Sequence, residues 1–324
     1  METRKFGRKD WNVSEIGYGM WGMGGQWGGA DDKAAAEALD LAVELGCNFF
    51  DTAWAYAEGH SEQLLGRLLK RHSDKKLYTA TKVPPKNLKW PSKPSYQLDE
   101  VFPEKHIIEY TEKSLRNLNV ETIDLIQFHV WEDRWADKDE WKEALEKLKK
   151  SGKIQAVGIS INRWEPENSL NTIKTGLIDS VQVIYNIFDQ SPVDKLFPLC
   201  KEKQVAVIAR VPFDEGVLIG TMSKDTVFDE GDWRKTYFVP ENLLPSLERV
   251  ENLKPLVPKN ATMAEMALRF ILSHEAVTTT IPGMRKLKNV KANMSVSDGK
   301  VLENELLQKL YTYRWDRMPT WWSQ

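Results

Sequence analysis

Short apolar runs alternate with longer stretches of helical hydrophobic spacing along most of the chain. Runs such as "DLIQFHV", "VQVIYNI" and "VAVIARV" are nearly continuous in apolar residues. Such runs are typical of parallel strands that are buried on both faces. The pattern predicts eight strands, at residues 15–21, 48–53, 77–83, 122–130, 155–161, 180–186, 206–212 and 278–283.

Amphipathic segments between these runs predict helices. The first has Asp31 or Asp32 as its N-cap, apolar residues at helical spacing and Gly46 as a stop signal. Turn-forming residues at 7–10 predict a short β-hairpin before the main fold. Further helices are predicted at residues 61–72, 103–118, 139–150, 166–175, 192–203 and 263–274.

Eight strand–helix alternations without a linker predict one (β/α)₈ TIM barrel domain over residues 1–324, with an N-terminal β-hairpin. A doubly wound sheet is the alternative, because residues 17–22 match the GxGxxG spacing. That motif opens directly into a helix, whereas no helical pattern begins here before about residue 31. Three long segments are predicted as functional loops at the C-terminal face: residues 84–103, 213–245 and those after 301.

Composition narrows the classes of function. The chain has 324 residues and a net charge of −2, so no basic surplus indicates a nucleic-acid partner. No apolar window is long enough for a membrane span. Two cysteines, Cys47 and Cys200, are too few for a disulfide framework, and HExxH and CxxC motifs are absent, so no metal site is expected. These features predict a cytoplasmic protein.

Polar residues follow three consecutive predicted strands. The second strand ends at Asp51, with Tyr56 shortly after it, while Lys82 and His129 end the third and fourth. Each residue also has a purely structural interpretation. Asp51 is suited to capping a loop or helix, Lys82 to reaching water from a strand end, and His129 to packing against its neighbours. Because barrel sites form at the C-terminal ends of the strands, we expect all four side chains at one rim.

These four residue types together suit proton transfer by a phenol. A tyrosine has a reference pKa of about 10, and a neighbouring ammonium such as Lys82 lowers it. Asp51 would brace Lys82, and His129 would donate a hydrogen bond to a substrate oxygen. Such a set protonates a carbonyl oxygen as hydride reaches its carbon, and since no side chain supplies hydride, a nicotinamide cofactor is implied.

The ordered set Asp51, Tyr56, Lys82 and His129 resembles the tetrad of the aldo-keto reductase superfamily. The phrases "NFFDTA", "SEQLLG", "SLRNLNVETIDLIQFH", "GKIQAVGIS", "SVQVIYN" and "TTTIPGM" also resemble landmarks of that family. The resemblance implies reduction of small-molecule aldehydes or ketones to alcohols, with Tyr56 as the proton donor. Two alternatives remain: an NADPH-binding regulatory or sensor subunit with little turnover, and an aldolase-type barrel with a Schiff base at Lys82.

The resemblance further implies a cofactor extended across the barrel mouth, with NADP(H) favoured over NAD(H). Arg285 would meet the 2′-phosphate, since a guanidinium donates two bonds at once. Arg210 stands where an aromatic residue often stacks on the nicotinamide. The implied contacts are Asp51, Ser160, Asn162 and Gln182 at the nicotinamide; Gly19, Met20 and Trp21 on its near side; Arg210, Val211, Phe213, Gly216, Leu218 and Gly220 beneath it; and Gly283, Arg285, Asn289 and Asn293 at the adenosine.

Aromatic residues indicate an apolar substrate pocket. The chain has 13 tryptophans, and Trp21, Trp54 and Trp131 lie close in sequence to cofactor or tetrad positions, so we expect them to line this pocket. Trp90 lies in the long segment after the third strand, and that segment is another candidate wall of the pocket. The tryptophan-rich tail is predicted either to close over the pocket or to pack on a second subunit, which would make the protein a homo-oligomer.

Overall fold

The apolar runs form a ring of parallel strands in the computed structural model, which describes residues 1–24 and 31–323. Neighbours in the sheet follow chain order from the first barrel strand to the eighth. Isolated parallel bridges from Ile16 to Thr280 and from Gly19 to Gly283 connect the last strand to the first. The strands are β1 (Thr3–Lys5) and β2 (Asn12–Ser14) of the hairpin, and β3 (Tyr18–Gly19), β4 (Phe49–Asp51), β5 (Tyr78–Val83), β6 (Ile123–Phe128), β7 (Ile154–Ser160), β8 (Ser180–Ile184), β9 (Ala206–Arg210) and β10 (Val277–Thr280) of the barrel.

Helices alternate with the barrel strands as the periodicity predicts. Asp31 is the N-cap of the first helix, where its carboxylate accepts hydrogen bonds from the amides of Lys33 and Ala34. The described residues contain α1 (Asp32–Glu44), α2 (His60–Arg71), α3 (Leu98–Val101), α4 (Glu104–Leu118), α5 (Glu140–Lys150), α6 (Leu170–Lys174), α7 (Leu196–Lys203), α8 (Arg234–Tyr237), α9 (Pro240–Leu253), α10 (Met263–Leu272), α11 (Leu287–Met294) and α12 (Asn304–Tyr311).

The strand order confirms the (β/α)₈ barrel and excludes the doubly wound alternative. A doubly wound sheet reverses its strand order at a switch point, whereas here consecutive strands are neighbours around a ring. Residues 17–22, which match the GxGxxG spacing, form β3 and the start of a 3₁₀ turn at Trp21–Gly24. The glycine-rich stretch that follows, residues 25–30, lies outside the described residues.

The first barrel strand is much shorter than predicted. Regular pairing covers Tyr18–Gly19 alone, against the expected residues 15–21. A Cβ atom at Gly19 would lie 2.5 Å from the backbone oxygen of Ile281. The strand therefore closes the ring by close backbone approach, which an apolar pattern does not reveal.

Strand register brings the polar residues to one end of the barrel. Asp51 pairs with Ala80 in β5, and Lys82 pairs with Gln127 in β6. Because alternate residues of a strand share a face, the side chains of Ala80 and Lys82 point the same way. The chemistry-bearing side chains therefore lie together at the C-terminal end.

The N-terminal hairpin packs at the opposite end of the barrel. Phe6 is fully buried and stacks on Phe49, while Trp11 packs on Tyr78. Gly7 has a φ of +54°, and a Cβ atom there would lie 2.5 Å from the backbone oxygen of Gln204. The turn therefore requires glycine both for its left-handed backbone and for its contact with the barrel.

We predict that Gly7→Ala destabilises the protein more than Gly152→Ala. Both glycines have positive φ, so each substitution should cost about 1 kcal/mol of backbone strain. A Cβ at Gly152 meets nothing within 4 Å, whereas at Gly7 it collides with backbone. Urea denaturation should give the larger loss for Gly7→Ala. Equal losses would contradict the packing of the hairpin turn against the barrel.

Candidate active site

A buried ion pair lies at the centre of the site. Lys82 Nζ donates to Asp51 Oδ1 at 2.5 Å, to the Thr52 carbonyl at 2.7 Å and to Tyr56 Oη at 3.4 Å. An ammonium has three N–H groups, so each has an acceptor. Lys82 donates to the phenol oxygen, which leaves the O–H of Tyr56 available for another acceptor.

Asp51 accepts more than the lysine bond. Its Oδ2 atom receives hydrogen bonds from the side-chain amides of Gln127, at 3.0 Å, and Gln182, at 2.8 Å. The carboxylate is 2 % exposed and lies behind Lys82. Three hydrogen-bond donors therefore hold the carboxylate in place at the end of β4.

Electrostatics keep Lys82 charged and Tyr56 protonated. Burial by itself would lower the pKa of Lys82, but Asp51 and then Tyr56 outweigh it and raise that pKa. Burial also raises the pKa of Tyr56, and the opposing charge of Lys82 only partly offsets it. Lys82 therefore lowers the pKa of Tyr56 as expected, but the effect of burial is larger, so the net pKa is raised.

His129 lies beside the phenol and is neutral. Its ring meets that of Tyr56 edge-on, with centroids 5.7 Å apart. Burial, with the positive charges of Lys82 and Arg210, lowers the pKa of His129 well below its usual range. Its Nδ1 atom is buried and has no hydrogen-bond partner. A neutral imidazole in this position can donate one N–H to a ligand oxygen.

Tyr56 and His129 open onto a cavity of about 360 Å³ at the barrel mouth. Its walls come from the ends of several strands and from the long segments that the sequence marks as functional. The lining residues are Trp21, Ala55, Tyr56, Trp90, Pro91, His129, Val130, Ser160, Ile161, Asn162, Arg163, Gln182, Arg210, Trp233 and Ser323.

The three tryptophans predicted for the pocket have different places. Trp21 lines the cavity, whereas Trp54 packs edge-on against Tyr110 of α4. Trp131 is fully buried, and its indole N–H donates to Thr172. The prediction for Trp131 is therefore wrong: the chain turns inward after β6, and this side chain fills the core beside β6 and α5.

Several predicted nicotinamide contacts lie on the cavity wall. Ser160, Asn162 and Gln182 all line it. The Asn162 amide nitrogen donates to Glu132 at 3.1 Å and to Glu165 at 3.0 Å, while its Oδ1 atom is buried without a partner. A buried unpaired acceptor suits the N–H₂ group of a carboxamide. The residues present therefore fit a nicotinamide.

The segment after β9 has a strained backbone beside the cavity. Val211 has a φ of +57° and Glu215 a φ of +57°, values that non-glycine residues rarely adopt. The Asn186 amide donates to the carbonyl of Val211 at 3.0 Å and so stabilises the turn. Strain that is stabilised in this way concentrates at ligand sites.

Other predicted cofactor residues of this region differ in exposure. Arg210 lines the cavity, and Phe213, Gly216 and Gly220 are partly exposed, whereas the side chain of Leu218 is fully buried. Met20, on the β3 side, is likewise fully buried. At Leu218 and Met20, only backbone atoms therefore remain for a contact with the cofactor.

The predicted adenosine segment runs from the end of β10 into α11. Gly283 and Asn289 are exposed, Arg285 is half-buried and Asn293 is buried. A Cβ atom at Gly22 would lie 3.3 Å from the side chain of Arg285. The backbone of the Trp21–Gly24 turn thus lies against the arginine that the resemblance assigns to a phosphate.

The C-terminal tail lies over the mouth of its own barrel. Arg317 is buried and pairs with Asp189 at 2.5 Å and Asp214 at 3.1 Å. Trp322 packs edge-on against Trp164, and Ser323 lines the cavity. These contacts match the first alternative for the tail, closure over the pocket.

Several residues of the site were not predicted from the sequence. Gln127 supports Asp51, and Arg163 and Trp233 are among the residues that line the cavity. The strand-end rule gives a signal for Gln127, since it pairs with Lys82 across β5 and β6. Trp233 lies in the long segment 213–245, where the length marks the loop without selecting the residue.

Residues 1–24 and 31–323 contain no cluster of three or more His, Cys, Asp or Glu side chains that suits a metal ion. Within the same residues, no helix has the length and apolar content needed to cross a bilayer.

Comparisons with known proteins agree with this geometry. The model of the Aldo/keto reductase family matches residues 15–310. The NADH-specific methylglyoxal reductase of Escherichia coli (strain K12) is 27% identical, with 91% of this chain and 93% of the relative covered. The NADP(+) aldo-keto reductase yakc of Schizosaccharomyces pombe is 27% identical, with 93% and 89% covered.

A solved structure has the same fold. The glycerol dehydrogenase of Gluconobacter oxydans superposes with a TM-score of 0.79 at 29% identity, covering 96% of this chain and 94% of that one. The family's enzymes use nicotinamide cofactors and act on carbonyl groups. The protein is an NAD(P)H-dependent oxidoreductase of the aldo-keto reductase family.

Proposed function

We propose that this enzyme reduces aldehydes or ketones to alcohols with NADPH, and that Tyr56 donates the proton to the carbonyl oxygen. Lys82, Asp51 and His129 assist it. The observation that carries the proposal is the hydrogen bond from Lys82 to Tyr56 Oη at the floor of an open cavity. A phenol that accepts this bond directs its own proton elsewhere, and the cavity is where a carbonyl oxygen would receive it.

Each residue of the tetrad has a separate task. The neutral His129 donates an N–H to the carbonyl oxygen and orients it beside the phenol. Tyr56 releases its proton as negative charge develops on that oxygen, and the Lys82 ammonium stabilises the phenolate that remains. Asp51 keeps Lys82 charged and in place. Solvent returns a proton to Tyr56 after the alcohol leaves.

The charged lysine opposes the aldolase-type alternative. A Schiff base forms from a neutral amine, which requires a lowered pKa. The pKa of Lys82 is raised instead, because Asp51 outweighs the effect of burial. Lys82 therefore suits electrostatic support of Tyr56 and not covalent catalysis.

A bound nicotinamide supplies the hydride that reaches the carbonyl carbon. Asn162, Ser160 and Gln182 would bind its carboxamide, and the buried Oδ1 of Asn162 supports this assignment. Arg285 and its basic neighbours Lys286 and Lys288 support the choice of NADPH, since a 2′-phosphate adds negative charge. The relatives differ on this point, because one is named as NADH-specific and another for NADP(+).

Tyr56→Phe should lower kcat for aldehyde reduction by about 10²–10⁴-fold, the usual contribution of a general acid. The ring stays and only the proton donor is lost, so NADPH binding, measured by tryptophan fluorescence, should not change. Tyr78→Phe is the matched control, because Tyr78 packs on Trp11 at the other end of the barrel. A Tyr56→Phe enzyme with full kcat would refute the proton-donor assignment.

The pH profile of reduction should be flat through neutrality. Burial raises the pKa of Tyr56 above its reference of about 10, so the phenol stays protonated until the pH approaches that raised pKa. The pKa of His129 is lowered below about 6.5, so the imidazole is neutral across the same range. We expect kcat to be constant from about pH 6.5 to 9 and to fall at higher pH. A fall centred near pH 7 would contradict this electrostatic account.

Arg285→Met should weaken NADPH binding about tenfold or more, because hydrogen bonds to charged groups contribute about 1.5–3 kcal/mol. NADH lacks the 2′-phosphate, so its dissociation constant should change about twofold at most. Fluorescence titration of both cofactors against wild type and variant measures the difference. Equal losses for the two cofactors would exclude Arg285 as the residue that selects NADPH.

A further inference from the structure

Two arginines lie on the wall of the substrate cavity, beyond the tetrad. Arg163 and Arg210 line it together with Tyr56 and His129. Arg163 Nη2 donates to Glu215 Oε1 at 2.6 Å, and Arg210 Nη2 donates to the backbone oxygen of Ile161 at 3.0 Å. Each guanidinium is therefore anchored at one nitrogen.

Each arginine also has a buried nitrogen without a partner. Nη1 of Arg163 and Nε of Arg210 are enclosed and make no hydrogen bond. Buried N–H groups are almost always paired, and leaving one unpaired on a charged group is especially costly. Two such donors on one cavity indicate that a ligand supplies their acceptor.

The two arginines differ in their ion-pair partners. Glu215 is the ion-pair partner of Arg163, and no carboxylate lies within ion-pair distance of Arg210 among the described residues. Burial, followed by the charge of Arg163, lowers the pKa of Arg210 to about 10. Arg210 is thus a buried cation on the cavity wall without a carboxylate in direct contact.

Other carboxylates of this region contact other groups. Asp214 pairs with Arg317 of the tail, and Asp51 pairs with Lys82. Glu132 and Glu165 accept hydrogen bonds from the neutral Asn162 amide. None of these four carboxylates forms an ion pair with Arg210 in the described part of the chain.

We propose that Arg210 and Arg163 form a carboxylate subsite, so that the preferred substrates are aldehydes or ketones bearing a carboxylate. This inference rests on the proposed carbonyl reduction. With the carbonyl at Tyr56 and His129, a carboxylate at the far end of the substrate accepts the unpaired N–H groups and gives Arg210 an ion-pair partner. The planar guanidinium matches the two oxygens of a carboxylate. Trp21, Trp90 and Trp233 provide an apolar wall for the carbon skeleton between the two groups.

The test compares 4-carboxybenzaldehyde with its neutral analogue, methyl 4-formylbenzoate. The ester withdraws electrons more strongly, so its carbonyl is intrinsically easier to reduce and any preference for the acid comes from binding. With saturating NADPH, wild type should show a kcat/KM at least tenfold higher for the acid. Equal values, or a preference for the ester, would overturn the proposal.

Substitutions then assign the preference to the two arginines. Arg210→Met and Arg163→Met should each reduce the acid-to-ester ratio of kcat/KM toward one, mainly through the KM of the acid. Arg210→Lys should retain part of the preference for the acid, because lysine keeps the positive charge but lacks the planar guanidinium that matches two carboxylate oxygens. Arg8→Met is the control: Arg8 pairs with Asp179 in the hairpin region, so the ratio should stay at the wild-type value.

The same variants separate this subsite from a cofactor contact. If the unpaired N–H groups serve the cofactor, Arg210→Met and Arg163→Met would weaken NADPH binding and leave the acid-to-ester ratio unchanged. That result would overturn the proposal.

Ligand binding without turnover separates this inference from the proposed function. Trp21, Trp90 and Trp233 line the cavity, so benzoate and benzamide can be titrated by tryptophan fluorescence in the presence of NADPH. Benzoate should bind at least tenfold more tightly, and Arg210→Met should abolish the difference. If neither aldehyde is reduced but this difference is found, carbonyl reduction fails and the subsite stands. If benzoate shows no advantage, the subsite is refuted.

Discussion

The buried ion pair between Lys82 and Asp51 is the constraint on which the site depends. An ammonium without water is stable only when each N–H has an acceptor, and here the carboxylate, the Thr52 carbonyl and the Tyr56 phenol are those acceptors. Gln127 and Gln182 bind the other oxygen of Asp51 from two further strands. The closed barrel is therefore what brings these groups to one point, since Gln182 of β8 reaches Asp51 of β4 across the interior of the ring.

Away from the tetrad, the site is built from segments that cover the barrel mouth. The strained turn after β9 brings Glu215 to Arg163, and Asp214 of the same turn pairs with Arg317 of the tail. These ion pairs connect the strand ends, the loop and the C-terminus in one network. The shape and charge of the substrate cavity are thus properties of the network, while the proton chemistry belongs to the strand ends.

Two outcomes that the sequence did not foresee share a physical cause. Trp131 follows His129 by two residues but fills the core, because both lie beyond the end of β6, where the alternation of a strand no longer sets the direction of a side chain. Lys82 lowers the pKa of Tyr56 as expected, yet burial has the larger effect on that pKa. In both positions the outcome depends on how completely the rest of the chain removes a side chain from water, which spacing alone does not express.

By itself, the sequence determined the barrel, its hairpin and the arrival of Asp51, Tyr56, Lys82 and His129 at one rim. Hydrophobic periodicity specifies the elements, and the geometry of parallel strands then specifies which ends meet. Only the tertiary structure decided which tryptophans line the cavity, how the tail lies over it, and that Arg210 lacks a carboxylate partner. These features depend on contacts between residues far apart in the chain, where burial and charge pairing are set by packing and leave no local pattern.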